Sequence, residues 1–118
     1  VKVIIAGSRT IEDKRVFLDA IHSAHSEGIE ITEVVEGGAQ GVDRMARGWA
    51  ILTGRTLKTF NADWKRYGKK AGPLRNQEMA DYAQALIAIW DGKSRGTADM
   101  IKRAESSGLK VYVHRIKG

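Results

Sequence analysis

The chain has 118 residues, 42% of them hydrophobic, enough for a core without staples, and one domain over residues 1–118 is expected. It contains no cysteine, which excludes a disulfide framework, a thiolate metal site and cysteine nucleophile chemistry together. A formal charge of +6 raises the local concentration of phosphates and polyanions without identifying one, and no run approaches the ~20 apolar residues of a membrane span.

Residues 1–6 enter a strand pattern directly rather than a signal peptide, so a cytoplasmic setting is expected. Val at position 1 is compatible with a removed initiator or with a longer product. Val16, Phe17, Ala20, Ile21 and Ala24 then repeat at helical spacing, and Gly28 stands where a left-handed helix stop belongs. Residues 31–36 form the second strand run, and Val42, Met45, Ala46, Trp49 and Ala50 give the next helix one apolar face, ending at Gly54. A third strand covers 56–60. Residues 61–71 read as a basic loop, and a helix is expected to begin at Gly72-Pro73, because proline suits a first helical position. Residues 85–90 are the fourth strand run, Ala98, Ile101 and Ala104 mark a last helix ending at Gly108, and 110–114 complete the set.

Strand runs alternating with helices argue for an α/β, Rossmann-like three-layer αβα fold around a five-stranded parallel sheet. The expected order is 3-2-1-4-5. In that order the connections of strands one and four leave in opposite directions, opening a crevice at their carboxyl ends where ligands bind.

Three strands end in small-residue loops: Gly7-Ser8-Arg9, Gly37-Gly38-Ala39-Gln40-Gly41-Val42-Asp43, and Asp91-Gly92-Lys93-Ser94-Arg95-Gly96-Thr97. Glycines let backbone N–H groups approach an anion, and the helix beyond adds its positive amino-terminal end. Any one such turn is ordinary in a strand-to-helix connection; three converging on one crevice point to phosphate. Arg75 and Asn76, in the first turn of the third helix, would add a bidentate phosphate contact and a ribose or base contact. Arginine there opposes the helix dipole, which favours a functional role over a solvated one. Asp43 either steadies its helix, accepts from a ribose hydroxyl or holds Arg75.

Five bases and no acid fall between Lys65 and Arg75, where Trp64 and Tyr67 either stack on a base or pack against the domain edge. His22 and His25 lack a third ligand, so no metal site is expected, nor any cofactor. Met45 and Trp49 are assigned to core or interface, and pairing of two copies through helices, with Trp49 in the contact, is an expectation.

At the three loops, and at Pro73-Leu74-Arg75-Asn76 with Met79, the chain resembles the SLOG superfamily, which takes in DNA-processing proteins and phosphoribohydrolases. It is most similar to short single-domain members of bacteria and phages. The resemblance covers nearly the whole chain and implies a Rossmann-like fold with a nucleotide or nucleotide-derivative site. In the phosphoribohydrolases a catalytic glutamate follows the threonine of a Gly-Gly-x-Gly-Thr motif by three residues, and an arginine assists. Here Arg75 and Met79 match the arginine motif, Asn76 replaces its lysine, and Met100 stands in the glutamate position; Asp99 beside it would point about 100° away around a regular helix.

Three functions remain. One is binding of a nucleotide or ADP-ribose-like ligand, as sensor, carrier or sequestering protein, through Gly7, Ser8, Arg9, Gly37, Gly38, Ala39, Gly41, Asp43, Arg75, Asn76, Ser94, Gly96 and Thr97. Another is hydrolysis of a nucleotide N-glycosidic or phosphoester bond, with Glu36, Asp43 or Glu78 as base and Arg75 assisting; Glu36 ends a strand near the crevice. The third is single-stranded nucleic-acid binding by the basic aromatic stretch.

Overall fold

A computed structural model describes residues 1–117. Its five parallel strands are β1 (Lys2–Gly7), β2 (Glu33–Glu36), β3 (Thr56–Thr59), β4 (Ala85–Trp90) and β5 (Lys110–Arg115), in the order β3-β2-β1-β4-β5. The helices are α1 (Lys14–Ser26), α2 (Val42–Thr53), α3 (Trp64–Tyr67), α4 (Ala71–Tyr82) and α5 (Arg95–Ser106). No helix among the described residues is long and apolar enough to cross a membrane.

Alternation along the strands divides the core into two layers. Val3, Ile5, Val34, Ile87 and Ile89 face α1 and α2, meeting Phe17, Ala20, Ala24, Ala46 and Ala50. Ile4, Val35, Leu86 and Ala88 face α4 and α5, meeting Met79, Ala80, Met100 and Ala104. Each fully buried Ile or Leu stabilises the fold by about 1.5–3 kcal/mol. The register pairs Ile5 with Ile87 and Gly7 with Ile89, so β1 and β4 end side by side at the same edge.

The structure corrects several expectations. The second strand starts at Glu33 rather than at residue 31, because the Thr32 amide bonds the Val1 carbonyl outside the ladder. The basic segment is not an open loop: Asp63 caps α3 by accepting from the Arg66 amide, and a 3₁₀ turn (Gly68–Lys70) leads into α4. Helix α4 therefore begins at Ala71, before Pro73, which remains in the first turn where a missing N–H costs nothing. Arg75 is its fifth residue, beyond the first turn, and the argument from an unfavourable dipole falls away. The buried stripe of α5 is Thr97, Met100 and Ala104, with Ala98 only half-buried.

Candidate functional site

A cleft of about 790 Å³ opens at the carboxyl ends of β1 and β4. Gly7, Ser8 and Arg9 from β1, Ala39 and Asp43 from the β2–α2 connection, Arg75 and Asn76 from α4, and Ser94, Gly96 and Thr97 from α5 line it. Gly37 and Gly38 line an adjoining hollow, while Gly41 and Glu36 line neither space.

Gly41 explains how two of the loops come together. Its φ of +70° favours glycine, and a Cβ there would stand 2.6 Å from the carbonyl oxygens of Ser8 and Arg9. The β1 loop is thus laid directly on the start of α2. Ser8 is only 2% exposed, yet its hydroxyl has no hydrogen-bond partner of normal geometry. It lies close enough to Asp91 to contribute, weakly, to holding that carboxyl below its ordinary range. The larger causes are the amides of Lys93 and then Ser94, which donate to Asp91 Oδ1 at 2.8 and 2.9 Å and fold the β4–α5 turn.

Ser94 caps α5, its Oγ accepting from the Thr97 amide at 3.4 Å and lying 3.0 Å from the Thr97 hydroxyl. The Arg95 and Gly96 amides, first in the helix, have no intrahelical acceptor. They sit at the positive end of α5, with Lys93 and Arg95 beside them on the cleft wall.

Asp43 and Arg75 both hold the glycine turn at Gly37. Asp43 Oδ2 accepts from the Gly37 and Ala39 amides, at 3.2 Å each, and Arg75 Nη1 donates to the Gly37 carbonyl. A side chain at Gly37 would collide with the Arg75 guanidinium. Burial pushes the Asp43 carboxyl up to about 6, against the opposing pull of the Ala39 amide and the Arg75 charge. Burial also lowers Arg75 below its ordinary value, with Asp43 acting the other way.

Asn76 is occupied by protein groups rather than presented to a sugar. Its Nδ2 donates to Asp99 at 2.9 Å and to the Gly96 carbonyl at 3.3 Å, and its Oδ1 accepts from Arg75 Nε at 3.1 Å. It ties the arginine to α5. Asp99 and Met100 both line the cleft, so Asp99 does not turn away as the regular helical spacing suggested; Arg103 holds it at 2.9 Å.

Glu36 is fully buried, behind the glycine turn. One carboxylate oxygen accepts from the Gly38 amide at 2.7 Å and from Arg47 at 3.5 Å, and the other accepts from the Thr59 hydroxyl. The sequence reading missed both Arg47 and Thr59. A signal existed for Arg47, since it lies four residues after Asp43 on the same face of α2. The partnership with Thr59 depends on the β2–β3 register, which pairs it with Glu36. Trp64, for which the sequence left base stacking and packing against the domain edge both open, is 51% exposed and lines the cleft, its ring centroid 5.9 Å from the Arg9 guanidinium.

Residues 1–67 match the model of a family described as YAcAr: YspA, cpYpsA-related SLOG family. The Gene 61 protein of Mycobacterium phage D29 is 36% identical over 118 residues, spanning 93% of this chain and 93% of that protein. Among solved structures, DNA processing protein A (DprA) from Streptococcus pneumoniae is similar with a TM-score of 0.71 and 22% identity, over 95% of this chain. That match takes in 49% of the DprA chain, and at this identity it is a likeness of fold.

Proposed function

Because the chain belongs to the YspA, cpYpsA-related SLOG family, whose membership points to a nucleotide- or nucleic-acid-related role, we propose that it binds a nucleotide or nucleotide-derived, ADP-ribose-like phosphate ligand in the cleft. It acts as a sensor, carrier or sequestering protein in the cytoplasm, with residues 1–118 as one domain. The observation that carries this reading is the convergence of the β1 loop at Ser8 and Arg9, the Asp43 and Arg75 side chains and the amino end of α5 on one cleft. The Ser8 hydroxyl, which makes no hydrogen bond of normal geometry and only a weak contribution at Asp91, would gain a full acceptor if it turned toward a phosphate oxygen. The Arg95 and Gly96 amides supply further donors to the same anion, and Arg75 supplies charge. Asp43 retains one carboxylate oxygen free of the glycine turn, available to a ribose hydroxyl.

Calorimetry with nucleoside mono- and diphosphates, ADP-ribose and cyclic nucleotides tests this. A saturable ligand whose affinity falls in Arg75→Ala supports it; absence of binding at millimolar ligand refutes it.

A second reading, single-stranded nucleic-acid binding, is favoured by one observation. Trp64 and Tyr67 are 51% and 43% exposed among the exposed bases Lys65, Arg66, Lys69 and Lys70. It predicts affinity for an oligonucleotide that falls steeply with salt as counterions are released. A mobility shift unchanged in a Lys65, Lys69, Lys70 triple alanine variant would reject it.

A further inference from the structure

The hollow beside the cleft measures about 440 Å³ and is walled by Gly37, Gly38, Gln40, Asn61 and Ala62. Arg9, Ala39, Trp64 and Arg75 line both spaces and so form the passage between them. Each space falls within the roughly 300–1,000 Å³ of small-molecule sites. The cleft alone exceeds the needs of one phosphate.

The passage and the hollow differ in chemistry. Two guanidinium groups stand in the passage, together with a half-exposed indole face. Gln40 and Asn61, both exposed, bring to the hollow two planar amides, each a donor and an acceptor. Asn61 lies directly over the glycine turn, where its amide oxygen occupies the place that a side chain on Gly38 would need. An aromatic face with two base-edge readers beside it suits a heteroaromatic ring. The arginine pair suits an anionic bridge leading back toward α5.

We propose that the hollow seats the nucleobase of the ligand whose phosphate end occupies the cleft, so that the ligand is a nucleoside diphosphate, free or carrying a further group. This rests on the nucleotide-binding reading above. One phosphoryl group lies between Arg9 and Arg75 and the next at the amino end of α5, while the base stacks on Trp64 and its edge meets Gln40 and Asn61. A monophosphate leaves one of the two cationic positions empty.

The experiment titrates the whole protein with inorganic pyrophosphate, ribose 5-phosphate, AMP, ADP and ADP-ribose, in wild type, Trp64→Ala and Gln40→Ala. ADP should bind at least about tenfold more tightly than AMP or pyrophosphate. Trp64→Ala should weaken ADP about five- to 150-fold, the range of base–aromatic stacking, and leave pyrophosphate unchanged. Gln40→Ala, at an exposed position that does not support the fold, should weaken ADP and spare pyrophosphate. If pyrophosphate or ribose 5-phosphate binds in the cleft and the base adds nothing, the hollow is not a base site, though the nucleotide reading stands. If none of the five binds, both fall. Loss in Trp64→Ala seen only with a single-stranded oligonucleotide overturns the proposal in favour of nucleic acid.

Discussion

The raised Asp43 carboxyl makes stability depend on pH in a way that one substitution isolates. Burial lifts it from the ordinary 3.8 to about 6, so the folded chain binds its proton more tightly than the unfolded chain does. Protonation therefore favours folding: the contribution is fully present below about pH 4 and is lost as pH rises through about 6. At 1.36 kcal/mol per pKa unit the full span is about 3 kcal/mol, of which about 1.3 kcal/mol is lost between pH 5 and pH 7. Asp43→Asn keeps an oxygen to accept from the Gly37 and Ala39 amides and removes the titration. Urea unfolding of both proteins at pH 5, 6 and 7 gives the measurement. The advantage of wild type over Asp43→Asn should shrink by about 1.3 kcal/mol across that interval, other titrations cancelling in the comparison. Parallel profiles would refute the reasoning, since a carboxyl with an ordinary value is already ionised at pH 5. A bound phosphate should steepen the dependence by favouring the protonated acid beside it, moving its titration upward in the complex.

Glu36→Gln should lower stability by about 1–3 kcal/mol, because Arg47 loses its buried counter-charge and Thr59 a charged acceptor; thermal unfolding measures this, and an unchanged midpoint would refute a structural role for Glu36. Ser8→Ala should change the stability of the free protein by no more than about 1 kcal/mol, since the hydroxyl makes no hydrogen bond of normal geometry and only a weak contribution at Asp91. The same variant should bind the nucleotide about tenfold more weakly by calorimetry, one lost hydrogen bond being worth about 1 kcal/mol or somewhat more to a charged group. Gly37→Ala drives a methyl group into the Arg75 guanidinium; the flexible side chain should give way, so circular dichroism should report an intact fold while calorimetry reports weakened phosphate binding.

The architecture was legible in the residues because it depends on short-range patterns. Apolar strand runs, helical repeats and glycine stops at Gly28, Gly54 and Gly108, all with positive φ, each declare themselves within a few positions. The 3-2-1-4-5 order then follows from the small set of ways such units join. The loops that line the cleft were legible for the same reason. Tertiary structure alone decided which groups in those loops are free. Asn76 is spent on Gly96, Asp99 and Arg75, and Glu36 is shut behind the turn with Arg47 and Thr59. Ser8, equally buried, makes no hydrogen bond of normal geometry and only a weak contribution at Asp91. Nothing local distinguishes these cases, because a side chain's partners come from strands and helices distant in the chain, and the packing of sheet against helix sets which of them arrive within a hydrogen bond's length.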